Sequence, residues 1–473
     1  MIKQKYFKNQ SKRSIFRQTK RKEMKTRTTI LLTLSILLSL SMVLSACAPQ
    51  PAAPVDPEVI KETVVVEVEK QVEVLITPEP EPEGPVTISF WHGYNADVEA
   101  KYLDEVLIPE FEAANPNIKV QAVLMPYDQF RRKLLIALSG GTAPDLARVD
   151  ILWVPELADQ GALANMEETL ADFDTYKDEF LAGPLSTNLY QGQHYGLPLD
   201  TNTRVLVYNK AMFAEAGIDS APVTMDDFLT ACEKIKALGE DKYCFADGGT
   251  YAWAVNPWIW SFGGDVTDAA VQTSSGVYNG SETVAAYQFL KDGVDNGYIH
   301  PGILGGGVDA WGGFATDTVA MLLEGPWFPP LFGSQFPDKE YGMALMPAGD
   351  GGSVSVVGGE DIVMFQQSQN KAAAETFMRY LLSEDVQLKL ASTGQMPVLK
   401  SVIESDFVKN HEFFGIFLEQ LKTAKARTPH PNWSQIEEVM TNTGSNILND
   451  VVGVQEGLDL AVEQIDPLLV IPE

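Results

Sequence analysis

Cysteine, histidine and positive charge are all scarce in this chain: 473 residues hold 3 Cys, 5 His and 35 Lys+Arg, against 64 Asp+Glu. Each shortage excludes something. The cysteines lack the spacing of a metal site and the histidines are scattered, so no metal is expected. There is no His-Glu-x-x-His, no phosphate-binding Gly-Lys-Ser/Thr and no Gly-x-Ser-x-Gly, so the motifs of those chemistries are missing. No cofactor is expected either. A formal net charge of −29 leaves no basic footprint for nucleic acid. It favours solubility and, if anything, the attraction of cations or neutral ligands. What the chain does have is apolar residues, 45% of the total, enough for a large core over about two or three domains.

The few cations are bunched at one end. Residues 1–46 carry 11 Lys+Arg and one Glu, a net +10, which puts the remainder at −29 − 10 = −39. This basic start runs into the apolar stretch Ile30–Leu44 and then Ser45-Ala46-Cys47. A basic region, an apolar run of roughly 15 residues and small residues before a cut describe a secretory signal peptide. The run is too short for a membrane span. Leu44-Ser45-Ala46-Cys47 also resembles the bacterial lipobox, which implies a mature protein that starts at a lipidated Cys47. Met24 offers a more ordinary start than Met1. From Ala48 to Pro85 the chain turns rich in Pro and Glu, a stiff, self-repelling tether. Within it TVVVEVEKQVEVLI alternates like a strand. An exported protein held off a membrane by a tether is the expectation.

The folded part begins at Val86. Val86, Ile88 and Phe90 alternate as a strand and lead into Trp91-His92-Gly93-Tyr94-Asn95. A helix follows with Leu103, Leu107, Phe111 and Ala114 on one face, then a strand through Ile118–Leu124. A second helix groups Phe130, Leu134 and Leu138 before Gly140-Gly141, and LARVDI reads as the third strand. This β-α-β-α-β order predicts a parallel sheet with crossover helices. Ligands of such sheets sit beyond the carboxyl ends of the strands, which places Trp91 to Asn95 and Asp150 to Trp153 at one mouth. Asp145, after Pro144, is expected to be structural, accepting backbone hydrogen bonds. Further on, GLPLDTNTRVLVYNKAMFAEAG (Gly196–Gly217) puts the polar run Asp200–Thr203 just before the strand Val205–Val207. That is the pattern of a chain crossing a solvent-filled crevice, or of an ordinary strand and helix within one domain. Cys232 and Cys244 are either a disulfide, as export permits, or free core thiols. Cys232 shares the apolar face of a helix capped by Thr224. Aromatic residues then crowd the chain at Tyr251, Trp253, Trp258, Trp260, Phe262, Trp311 and Trp327.

Several segments taken together resemble the extracellular solute-binding proteins of ABC importers, the family that includes maltose-binding protein. They are FWHGYN, IPEFEAANPNIKV, SGGTAPDL, LPLDTNTRVLVYNKAMFAEAGI, AMLLEGPW, MPAG and FMRYLLSEDVQLKLASTGQMPV, in family order from Val86 to the C-terminus. The resemblance implies a periplasmic-binding-protein-like (type II) fold, α/β, with two lobes closing on a sugar and no catalysis. It implies crossings near Pro198–Thr203, Val356–Asp361 and Leu381–Asp385. One lobe would then hold 86–200 and 361–381, and the other 201–360 and 382–473. It implies as partners a sugar or oligosaccharide and the membrane subunits of an ABC permease, with the protein itself a monomer.

A sugar offers flat apolar faces and a rim of hydroxyls, so aromatic rings and carboxylates or amides are its natural partners. The candidate platforms are Trp91, Tyr94, Trp153, Trp258, Trp260, Trp311, Trp327 and Trp433. Gly325-Pro326-Trp327 matches a family position that stacks on ligand, and Trp433 falls in a segment that places an aromatic there. The candidate polar groups are Asn95, Asp150, Asp200, Asn202, Glu360 and Asp361, Asn202 standing where the maltose binder has a carboxylate. Val149 stands where that protein has an aromatic, which weighs against maltose. Two other readings share these residues: a binder of cationic solutes such as polyamines, and a glycoside hydrolase, which needs two carboxylates astride a bond.

Overall fold

The computed structural model describes residues 84–304 and 309–471. The signal peptide, Cys47 and the strand-like stretch of the tether lie outside the described residues. In chain order the strands are β1 (Val86–His92), β2 (Ile118–Leu124), β3 (Leu146–Asp150), β4 (Leu189–Tyr190), β5 (Gln193–His194) and β6 (Leu197–Thr203). They continue with β7 (Val205–Asn209), β8 (Tyr243–Ala246), β9 (Val319–Glu324), β10 (Tyr341–Ala344), β11 (Val356–Met364) and β12 (Lys425–Ala426).

Two sheets organise the fold. The larger has the order β12-β11-β3-β1-β2, with β6 also paired to β11. β1 pairs in parallel with both β2 and β3, as the strand-helix alternation predicts. β11 enters antiparallel to β3 and to β6, so the sheet is mixed. The smaller has the order β10-β7-β9-β8. The apolar periodicity has the expected effect: Leu103, Leu107 and Phe111 are buried against Ile88 and Phe90 of β1. Asp145 ties this layer to a distant loop: it accepts from the Ser89 amide at 2.8 Å and the Ser368 hydroxyl at 2.6 Å.

The chain changes sheet at Arg204, directly after the polar run of β6, and again between Ala344 and Val356. The third change comes later than Leu381–Asp385. Only Leu382 and Ser383 separate helix Lys371–Leu381 from helix Glu384–Ala391. Leu382, Val386, Leu390, Val398, Phe414 and Phe417 all share the core of Ile88 and Phe90. The second helix therefore buries its apolar side in the first core. The chain leaves the larger sheet after β12, and helix Trp433–Leu448 joins Tyr278, Tyr287 and Leu458 in the other core.

Cys232 and Cys244 are bonded, linking helix Met225–Lys236 to β8. That helix starts at a capping box, with the Thr224 hydroxyl accepting from the Asp227 amide at 3.1 Å. Such a cap satisfies amides that the first helical turn cannot bond internally.

Candidate functional site

Three neighbouring strands bring the acidic candidates together. β3 and β6 flank β11, and their register sets both Asp150 and Asp200 opposite Glu360. Two positions away Gly358 lies opposite Asn202. Carboxyl groups so aligned repel unless a cation joins them, and Arg148, two residues before Asp150 on β3, supplies it. Its Nη2 reaches Asp200 Oδ2 at 2.9 Å and Glu360 Oε2 at 2.7 Å, and Gln395 Oε1 at 3.4 Å. The guanidinium lies 4.3 Å from the centre of the Tyr94 ring. Gln395 in turn donates to Glu99. One buried cation thus joins two carboxyl groups and, through Gln395, is linked to a third. Burial pushes Glu360 well above the usual carboxylate range and raises Glu99, with Arg148 pulling both the other way. A desolvated anion is costly.

In front of this row lies a cavity of about 320 Å³, within the roughly 300–1,000 Å³ of small-molecule sites. Asp150, Asn202 and Glu360 line it from the larger sheet, and Tyr251, Trp253 and Trp327 from segments attached to the smaller one. A second cavity of about 430 Å³ shares Tyr251, Trp253 and Trp327 and adds Trp311, Glu324, Asp247 and Arg204. The Trp253 and Trp327 rings are 6.3 Å apart and inclined at 31°. Gly358 admits Trp253, since a Cβ there would come within 2.6 Å of the indole and 2.3 Å of Asn202 Oδ1. Arg427 lies 5.2 Å from the Trp253 ring centre and 3.4 Å from Asp150 Oδ1. Asp150 also accepts from Tyr127 and, at 2.9 Å, from the Leu152 amide. Aromatic faces, carboxylate acceptors and one guanidinium donor suit a ligand with apolar faces and hydroxyl edges.

The sequence candidates divide sharply. Asp150, Asn202, Trp327 and Glu360 line the first cavity and Trp311 the second. Asp200 stands one layer behind, holding Arg148. Trp258 is packed edge-on to Phe228 and Phe245 in the core. Trp260 is buried with its indole N–H on Asp265 at 2.8 Å. Trp433 is buried as well. Trp153 backs the cavity at one remove, packing on Tyr127 and Phe130. Trp91 packs half-buried on the core. Tyr94 lies under Arg148, and Asn95 turns its side chain to the Asp97 amide at 2.9 Å. Asp361 follows a register shift in β11 and is fully buried, with Thr187 Oγ1 at 3.1 Å. Its neighbour Glu360 reaches the cavity instead.

The cavity-lining side chains that were not among the sequence candidates are Tyr127, Tyr251, Trp253, Arg427 and Glu437. Tyr251 and Trp253 belong to the aromatic-rich run. Only the start of helix Ala252–Ser261 reaches the cleft, because Ala254–Ser261 are all buried. Glu437 lies one turn after Trp433 on helix Trp433–Leu448, so the expected segment arrives and presents a different side chain.

The chain matches the family model for bacterial extracellular solute-binding proteins over residues 96–388. A protein of Brucella abortus is 29% identical over 356 residues, covering 73% of this chain and 84% of that one. An arabinooligosaccharide-binding protein of Halalkalibacterium halodurans is 26% identical over 414 residues, covering 81% and 90%. The crystal structure of an ABC transporter solute-binding protein of Thermotoga lettingae, bound with α-D-tagatose, superposes with a TM-score of 0.74. It is 29% identical and covers 81% of this chain and 100% of its own. The chain belongs to the bacterial extracellular solute-binding protein family, with the two-lobed type II periplasmic-binding-protein fold.

Proposed function

We propose that this protein captures a sugar or oligosaccharide between its two lobes and hands it to the permease of an ABC importer, without chemical change. The observation that carries this reading is the shared wall of Tyr251, Trp253 and Trp327 facing Asp150, Glu360 and Arg427. Indole and phenol faces cover the sugar ring while carboxyl oxygens accept hydrogen bonds from its hydroxyls. The sugars named for relatives, an arabinooligosaccharide and tagatose, support the same class. Hydrolysis is the weaker reading, because Asp150 and Glu360 are already engaged by Tyr127, Arg427 and Arg148. A thermal-shift panel of neutral mono- and oligosaccharides and polyamines tests it, since a tight ligand raises the melting temperature by mass action. Stabilisation by a neutral sugar that is recovered intact is the expected result. Turnover, or a response to polyamines alone, overturns it.

The lipid anchor belongs to the same proposal. With Cys47 lipidated, the acidic tether keeps the domain at the outer face of the membrane and near the permease. Cys47→Ser is expected to release the protein from the membrane fraction. Unchanged membrane association of that variant rules the anchor out.

A further inference from the structure

Glu324 ends β9 in the wall of the second cavity, and each of its carboxyl oxygens accepts an indole N–H. Trp311 Nε1 donates to Oε1 at 2.7 Å and Trp327 Nε1 to Oε2 at 3.2 Å. A carboxylate is the one side chain that can accept from two indoles at once with both oxygens. The rest of Trp327 is held from below. Its six-membered ring lies over Gly325, where a Cβ would stand 2.3–2.5 Å from three ring carbons. With the nitrogen tied to Glu324 and the far ring seated on Gly325, the indole has one orientation, and in it the ring borders both cavities. Trp311 borders the second and is further fixed edge-on by Phe328 at 5.4 Å and Phe332 at 5.9 Å. Arg204, which lines the second cavity beside Glu324, opposes the upward push of burial on that carboxyl group. Burial is the larger influence, so the carboxyl group is held above the usual carboxylate range.

We infer that Glu324 is a positioning residue for ligand binding: it aligns Trp327 and Trp311 as two fixed platforms of the cleft. The inference rests on the sugar-binding reading for its consequence, but the alignment itself is separately measurable. Fixing the rings before ligand arrives removes the ordering cost that a mobile side chain would add to binding. A glutamine has a single acceptor oxygen, and its amide group faces whichever indole N–H it cannot serve. One ring must then let go. An aspartate keeps both oxygens but lacks the reach to span both nitrogens.

The experiment uses the full chain labelled at its indole nitrogens. Resonances of Trp311 and Trp327, assigned from Trp311→Phe and Trp327→Phe, are compared in wild type, Glu324→Gln and Glu324→Asp. Glu324→Gln is expected to move both, and Glu324→Asp at least one, while those of the core residues Trp258 and Trp260 stay in place. Affinity for the sugar identified by the panel is expected to fall about tenfold in Glu324→Gln, the upper end of what one hydrogen bond contributes. In a Trp327→Ala background the same change is expected to alter affinity less than about twofold, because residues acting through one another are not additive. Indole resonances that do not respond, unchanged affinity, or a loss undiminished in the Trp327→Ala background would each overturn the inference. If no sugar binds the wild type, the sugar-binding reading fails, and the indole spectra alone decide whether Glu324 aligns the rings.

Discussion

Arg148 grips Asp200 twice, from Nε at 3.0 Å and from Nη2 at 2.9 Å, on the same carboxylate oxygen. Arg148 and Asp200 are only 5% and 3% exposed, in the layer directly behind the cavity. Glu360 completes the pairing at 2.7 Å.

Arg148→Ala is therefore expected to destabilise the protein by about 3–5 kcal/mol, because it leaves buried carboxyl groups without their cation. Arg148→Lys is expected to rescue little, since one ammonium cannot match a forked contact with two carboxylates. Urea unfolding of the variants measures this. A loss below about 1 kcal/mol would mean that the carboxyl groups simply take up protons when the guanidinium is removed.

Trp327→Ala is expected to weaken sugar binding by about 1–3 kcal/mol, the scale of a buried aromatic anchor, with the melting temperature little changed. Trp258→Ala should do the reverse. Its ring is buried among Phe228, Phe245 and Phe289, so truncation costs about 3–5 kcal/mol of stability. Calorimetric titration beside thermal unfolding separates the two. Wild-type affinity in a folded Trp327→Ala protein would assign that ring to structure.

The contrast between these two tryptophans marks what the sequence could express. Alternation and helical spacing were enough to find β1, β2, β3 and the helices between them, because burial of one face writes itself into local periodicity. The polar run Asp200–Thr203 likewise marked the approach to the first change of sheet. Which tryptophan reaches solvent was not legible. Trp253 and Trp258 sit on one ten-residue helix, and only that helix's approach to Gly358 decides that the first faces the cleft. Pairing across strands distant in sequence is equally silent, so Arg148 gave no sign that it would bind Asp200 and Glu360. Glu437 replaced Trp433 because the rotation of a helix on its axis depends on what it packs against.

His92 gives the protein an acid-sensitive step. Burial, helped by the nearby Arg148 charge, lowers its pKa from 6.5 to about 3. Its Nδ1 has no hydrogen-bond partner among the described residues, and the ring lies between Phe90 and Tyr94. The unfolded chain takes up this proton near pH 6.5 and the folded one only near 3. Stability from the neutral imidazole is thus complete above pH 6.5 and lost as pH falls toward 3, at about 1.4 kcal/mol per unit. His92→Phe should flatten the acid limb of the stability profile by that slope relative to wild type. Parallel profiles would show that another group controls the acid limb.

The Cys232–Cys244 bond closes a short loop, with a sequence separation of 12. Removing such a cross-link costs about 2–4 kcal/mol, largely by freeing the unfolded chain. Cys232→Ala/Cys244→Ala is expected to unfold earlier in urea by that amount. Thiol labelling of the unfolded, unreduced protein should find neither cysteine. Labelling of both would restore the reading of two free core thiols.

The last expectation concerns motion. The chain passes between the two sheets at Arg204 and between Ala344 and Val356, and it leaves the larger sheet after β12. Little backbone thus joins the lobes, and they are expected to rotate as rigid bodies. Asp150 and Glu360 approach the first cavity from one sheet, while Tyr251, Trp253 and Trp327 approach from the side of the other. A sugar that touches both walls binds the closed form better than the open one, and that difference in affinity is what shifts the population. A ligand stacked on Trp327 alone would bind both forms equally and move nothing. Adding the sugar found by the panel is therefore expected to lower the radius of gyration measured by solution scattering. Glu360→Ala, which removes one acceptor from the larger sheet's wall, should lower the affinity and shrink the scattering change together. A tight ligand that leaves the wild-type scattering curve unaltered would instead place the whole binding energy on one lobe or in a cleft already closed.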